Sequence, residues 1–235
     1  MHLKILGTRG NVGLSAPYHS KHSGVMIDDK ILLDAGEAEF LENEPDLALI
    51  THMHPDHAFF ADSEIRLSDH ISKKSKVFAP GKAGTGMVRE ISAGWEKEFR
   101  AYNIRALDAV HSQNVSSLAY LVWKKEGGSS KKVLYTGDIV SLSDEFEKVN
   151  LVITDGSFFR KGGLVRKTRK GEPYGHAGIP DLMEMFADKT EKMLFMHFGS
   201  WFYRDIESSR RKIQNLADEK GITALVGYDG MELEV

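Results

Sequence analysis

Residues 47–57 constrain this chain more than any other stretch, because an apolar run that reads as a buried strand leads directly into His-x-His-x-Asp-His at residues 52–57. No packing role calls for three titratable rings at a strand end. Neutral imidazole nitrogens and a carboxylate oxygen are, however, the donor set that Zn²⁺, Mn²⁺ and Fe²⁺ accept. A chain that leaves its strand at Thr51 and bends through Pro55 can aim His52 and His54 one way. Asp56 and His57, on the next turn, can then face a second position, which makes half of each of two metal sites.

The 235 residues suffice for one large domain, 1–235, with a substantial core. Net charge −3 gives no general attraction to nucleic acid or membrane, so any anion-binding surface must be local. The absence of cysteine excludes disulfides, thiolate nucleophiles and cysteine-held zinc. No long apolar run follows the first strand and none reaches membrane-span length, so a cytoplasmic protein is expected.

Alternating or wholly apolar runs predict strands at 2–6, 24–27, 31–34, 47–51, 76–80, 104–110, 118–123, 132–136, 151–154, 193–196, 223–226 and 231–235. The polar run 124–132 reads as a hairpin tip. Helices are expected at 180–187 and 204–220, the latter stopped by Gly221, with a further helix starting over 55–61 and a helical turn over 144–148. Residues 83–100 read as irregular or partly helical, and 160–175, without apolar period, as a loop. Strands joined both by hairpins and by helices imply an α/β domain of layered mixed sheets.

One event recurs along the chain: an apolar strand ends in a ligand-type residue. Residues 31–33 lead to Asp34, 106–110 to His111, 133–135 to Asp138, 151–153 to Asp155 and 194–196 to His197. Sites in open α/β sheets gather at strand C-terminal ends. A single such residue is usually a cap or a satisfied polar group. Five of them beside residues 52–57 are a constellation.

In order and spacing this constellation resembles the metallo-β-lactamase fold of binuclear metallohydrolases, over nearly the whole chain. The resemblance implies a four-layer αββα sandwich with two mixed sheets. It implies two divalent metal ions, zinc or manganese or else iron, one held by His52, His54 and His111 and the other by Asp56, His57 and His197. Asp138 would bridge them and Asp34 would support the ligand loop from behind. Within this fold family the chain is most similar to the phosphodiesterase branch, which carries an extra histidine where His176 stands and a paired acid where Asp155 stands. Phosphoribosyl cyclic phosphodiesterases share the pieces Gly7-Thr8, Asp34-Ala35-Gly36, His111-Ser112 and the ending at residues 227–232. Two departures stand out: the cysteines of that group's accessory zinc site are missing, and no long insertion separates Asp138 from Asp155, where ribonuclease Z carries its tRNA-gripping arm.

The expected chemistry is attack on phosphorus by a hydroxide bridging the two metals, with His176 as general acid, Asp155 orienting it, and Asp56 among the catalytic carboxylates. The substrate is then a small cyclic phosphodiester or a nucleotide. Alternatives on the same metals are an RNA-processing nuclease of ribonuclease Z type and a lactone or thioester hydrolase, and RNA as partner and a homodimer stay open. Six basic residues within 160–170 read equally as a phosphate clamp or a solvated loop. Trp201, Phe202 and Tyr203 fit core packing or a pocket wall, His2 and His70 fit the surface, and His19 and His22 fall in a loop expected near the metals.

Overall fold

The first strand shows how the sequence builds the layers. In β1 (His2–Gly7) Leu3 and Ile5 are buried and His2 and Lys4 lie half-exposed between them, the alternation of a sheet with one covered face. The computed structural model describes residues 1–61, 66–81, 86–126 and 129–235. Strands β2 (Gly24–Ile27), β3 (Ile31–Leu33), β4 (Leu47–Leu49), β5 (Lys76–Ala79) and β6 (Val88–Glu90) continue this sheet in sequence order. Pairing is antiparallel from β1 to β3 and parallel from β3 to β6.

The second sheet contains β7 (Glu96–Phe99), β8 (Tyr102–Val110), β9 (Ser117–Glu126), β10 (Ser129–Tyr135), β11 (Ser141–Leu142) and β12 (Leu151–Asp155). A separate hairpin, β13 (Leu164–Lys167) with β14 (Pro173–His176), interrupts it before β15 (Lys192–Met196) and β16 (Thr223–Val226) complete it. The order runs β11-β8-β9-β10-β12-β15-β16, with β7 on β8, antiparallel up to β10 and parallel beyond. The last strand, β17 (Glu232–Glu234), returns to pair with β1 of the first sheet.

Residue parity decides which side chains fill which layer. In β12, Leu151 and Ile153 point between the sheets while Val152 points outward; in β15, Leu194 and Met196 point inward while Met193 and Phe195 point outward. Both strands are buried on both faces, which is why they read as unbroken apolar runs. The outer face of the second sheet is covered by α1 (Ile179–Phe186) and α2 (Ile206–Lys220). Asp205 caps α2 by accepting the Ser208 N–H at 3.0 Å, and Gly221, at φ +67°, closes it by donating to the Ala217 carbonyl. The outer face of the first sheet is covered instead by short 3₁₀ turns, which bring Phe40, Leu41, Phe59, Phe60 and Leu67 onto Leu32 and Ala48. The four-layer plan therefore holds, with one outer layer reduced to turns.

Four local expectations are corrected. The helix expected over 55–61 survives only as a 3₁₀ turn, Phe59–Ala61, because the Phe59 N–H bonds to Ala35 across the site and leaves the helical path. Residues 144–148 form no helix. The stretch 83–100 contributes β6 and β7, apart from residues 83–85, which lie outside the described residues, as do 127–128 at the β9–β10 tip. The expected loop 160–175 contains the β13–β14 hairpin, with Leu164 opposite His176 and Arg166 opposite Tyr174. Its outward charged residues conceal the strand period.

Candidate metal centre

Seven ligand-type side chains converge at the ends of strands from both sheets. The turn after β4 delivers His52, His54, Asp56 and His57; the ends of β8, β10 and β15 deliver His111, Asp138 and His197. Gly137, at φ +58°, lets the chain turn tightly after β10, and a Cβ there would stand 2.6 Å from the Thr51 hydroxyl. Asp34 and His197 adopt left-handed backbone conformations, at φ +58° and +57°, although neither is glycine. Such residues cost on the order of 1–3 kcal/mol and persist where surrounding contacts fix them.

For Asp34 those contacts are a buried network. It accepts the Thr51 N–H at 2.7 Å, the Tyr135 hydroxyl at 2.8 Å, the Thr51 hydroxyl at 2.9 Å and His57 Nδ1–H at 2.7 Å. With its proton given to Asp34, the Thr51 oxygen accepts from His52 Nδ1, 3.1 Å away. His111 Nδ1–H donates to the Gly175 carbonyl at 2.8 Å, and His197 Nδ1 is hydrogen-bonded to Ser23 Oγ at 2.8 Å. In His52, His57 and His111, then, Nδ1 is the donor, which leaves the Nε2 lone pair for a metal, and the Ser23 hydroxyl can hold His197 in the same tautomer.

Those lone pairs point into common space. His57 Nε2 and His197 Nε2 each lie 3.2 Å from Asp138 Oδ1, and His111 Nε2 and His52 Nε2 lie 3.6 and 3.8 Å from Oδ2. Asp56 Oδ2 stands 3.7 Å from His197 Nε2, and His54 Nδ1 stands 3.5 Å from His111 Nε2. Three groups could hold a metal ion. One joins His111 and Asp138 to His176; the other two, His52 with His54 and His111, and Asp56 with His57, Asp138 and His197, take in all seven converging side chains. His52 Nε2, His57 Nε2 and Asp138 Oδ1 are buried with no hydrogen-bond partner. Orphaned buried polar atoms are costly, and divalent cations at these two positions would satisfy all three. The residues fit the metals.

The electrostatics follow from this crowding. Burial alone would raise the Asp138 carboxyl, but His197, His57 and His176 hold it well below the usual range. Burial also works against a charged His57, yet Asp138 and Asp34 on either side raise it well above an ordinary imidazole. Burial lowers His52, His54 and His111.

His176, at the end of β14, is held beside this cluster by its neighbour: the Gly175 N–H donates to the His111 carbonyl at 2.6 Å. Its Nδ1 lies 2.7 Å from Asp155 Oδ2, at the end of β12, and 3.9 Å from Asp138 Oδ2. Burial would lower its pKa, but Asp155 and Asp138 outweigh that and push it up to about 9. A 340 Å³ pocket opens over the cluster, lined by His54, Asp56, His111, Asp138, His176 and His197 and walled by Asn11, Val12, Ser157, Phe158 and Trp201.

Among the other residues singled out from sequence, Trp201 walls the pocket, whereas Phe202 is buried and stacks on Phe198 at 3.9 Å. The Tyr203 hydroxyl donates to the His19 carbonyl at 3.1 Å. His19 is buried beneath Phe198 and Phe202 and His22 pairs with Glu37 at 2.8 Å, so neither joins the metal groups. His2 pairs with Glu232 at 3.5 Å and His70 sits against Phe59. Sequence reasoning missed Ser23, Thr51 and the Gly175 carbonyl as partners of ring Nδ1 atoms, and Tyr135 as a donor to Asp34. A lone hydroxyl or carbonyl carries no signal in sequence.

No protein-family model matches the chain, and no curated protein matches its sequence. Solved structures do match. The metallo-β-lactamase fold protein YhfI from Bacillus subtilis superposes with a TM-score of 0.68 at 16% identity, over 100% of this chain and 99% of that one. A diphosphatase from the PhnP family gives 0.64 at 14% identity, over 100% and 96%. An isothiocyanate hydrolase from Delia radicum gut bacteria gives 0.59 at 14%, over 100% and 99%. The latter two are named for different electrophiles on one scaffold, so the likeness speaks to architecture and not to reaction. End to end, this chain has the metallo-β-lactamase fold.

Proposed function

We propose that the protein is a two-metal phosphodiesterase that cleaves a small phosphodiester, a cyclic phosphate or a nucleotide, with His176 as general acid. His52, His54 and His111 would hold one metal and Asp56, His57 and His197 the other, and Asp138, with oxygens facing both groups, would be the ligand they share. The nitrogen and carboxylate donors suit zinc, manganese or iron. When bound, two such dications supply a nucleophile from water near neutral pH and offset charge on the phosphate oxygens.

The observation that carries the reading is the His176–Asp155 pair, 2.7 Å apart at the rim of the metal cluster. Cleaving a phosphodiester expels an alkoxide, which needs a proton, and the Asp155 carboxylate against His176 Nδ1 favours the charged form of the ring. Its Nε2 then donates to the leaving oxygen as the P–O bond breaks, and Asp155 keeps the ring oriented and the positive charge stabilised. A lactone or thioester hydrolase on the same metals has no evident need of this pair. The 340 Å³ pocket falls at the low end of ligand-site volumes, in keeping with a small substrate.

A nuclease reading has one observation in its favour. Arg166, Lys167, Arg169 and Lys170 on the β13–β14 hairpin are exposed and enter no ion pair among the described residues. The deciding experiment is turnover of bis-p-nitrophenyl phosphate with added Mn²⁺ or Zn²⁺, beside a lactone and a thioester. Phosphodiester turnover is expected, and its absence with every metal overturns the proposal.

A further inference from the structure

A second cleft of 560 Å³ lies beside the metal pocket, and the two share Phe158 and Trp201 as a common wall. Its floor is one face of α2: Asp205, Ser208, Ser209 and Lys212 recur at helical spacing along it. Arg204 and Arg160 also line it. The rings of Phe159 and Trp201 stand 5.3 Å apart and form an aromatic side. Trp201 is fixed there by its Nε1–H, which donates to the Gly156 carbonyl at 3.0 Å, one residue from Asp155.

The charge of the cleft is unbalanced. Arg204 and Lys212 are exposed and enter no ion pair among the described residues, and Arg160 lies over the Phe158 ring at 5.8 Å. Asp205, the one lining carboxylate among the described residues, is committed to the Ser208 N–H. Three cations against one engaged carboxylate favour an anionic ligand, and the aromatic pair favours a flat ring, since base–aromatic stacking contributes about 1–3 kcal/mol per base. A small cyclic sugar phosphate offers no such ring. A nucleotide offers both.

We infer that this cleft is a nucleotide subsite, in which a base packs on Trp201 and Phe159 and its phosphate pairs with Arg204 and Lys212. The inference rests on the phosphodiesterase reading and narrows it: the substrate is a linear dinucleotide whose terminal phosphate occupies the cleft while the internucleotide phosphate lies at the metal cluster.

The test compares the dinucleotides ApA and pApA on the wild-type enzyme and on the double variant Arg204→Ala/Lys212→Ala. In the wild type the terminal phosphate lowers KM by about tenfold, the worth of one charge-assisted hydrogen bond, and in the variant the two substrates become equivalent. A wild type indifferent to the terminal phosphate, or a variant that keeps the advantage, overturns the inference. Binding decides independently of turnover. AMP quenches tryptophan fluorescence in the wild type and not in the double variant if the cleft is the subsite; no quenching, or quenching retained in the variant, overturns it. Failure on bis-p-nitrophenyl phosphate would remove the phosphodiesterase reading, leaving AMP binding to judge the cleft.

Discussion

Asp34 accepts the Nδ1–H of His57 at 2.7 Å, and neither side chain has appreciable contact with solvent. That one carboxylate also anchors Thr51 and Tyr135, so it fixes the loop and the tautomer of two histidines at once. Asp34→Asn keeps the shape but brings an amide donor against a ring of donors. Supporting groups of this kind contribute about 10–100-fold to metal affinity, and a buried donor left unpaired costs about 1–3 kcal/mol. Chelator-competed metal titration and urea unfolding of the variant are expected to show both losses. Unchanged affinity would mean that His57 is oriented without Asp34.

His19 makes stability depend on pH away from the metals. Thr8 donates its hydroxyl proton to Asp229 at 2.8 Å and accepts from His19 Nδ1 at 2.9 Å, which leaves Nε2 to accept from Arg210 at 3.0 Å. Burial first, and then Arg210, lowers its pKa to about 4. The unfolded chain, with an ordinary imidazole, binds more protons between about pH 4 and about 6.5, so stability falls as pH drops through that window and this loss saturates below it. His19→Asn should flatten the slope of the urea midpoint against pH there. Parallel slopes for variant and wild type would contradict this assignment.

The basic hairpin separates a small substrate from RNA. With Arg166, Lys167, Arg169 and Lys170 all changed to alanine, the salt dependence of KM on a single-stranded oligonucleotide is expected to stay as in the wild type. Had these side chains held RNA phosphates, the slope would fall by about 0.7 for each phosphate released. A reduction of that size would move the protein to the nuclease reading.

Much of this site was legible in the sequence because metal ligands are unusual residue types in unusual places. His52 to His57 behind an apolar strand, and Asp138 or His197 closing others, need only the strand assignments to predict convergence. The β13–β14 hairpin was hidden, because Arg166 and Lys167 face water and no apolar alternation survives there. The turn at Phe59–Ala61 was hidden too, because the Phe59 N–H is diverted to Ala35, a partner distant in sequence. The roles of Ser23 and Gly175 depend on angles between ring nitrogens and oxygens that only the folded chain defines.

The central claim is that His176 gives a proton and does not hold a metal. Metal content and phosphodiester turnover, measured on one preparation of His176→Ala, test it most directly. A proton donor at this position predicts that the variant binds metal with wild-type stoichiometry while turnover falls by about 10²–10⁴. Stoichiometry reduced by half, or turnover left intact, would contradict it.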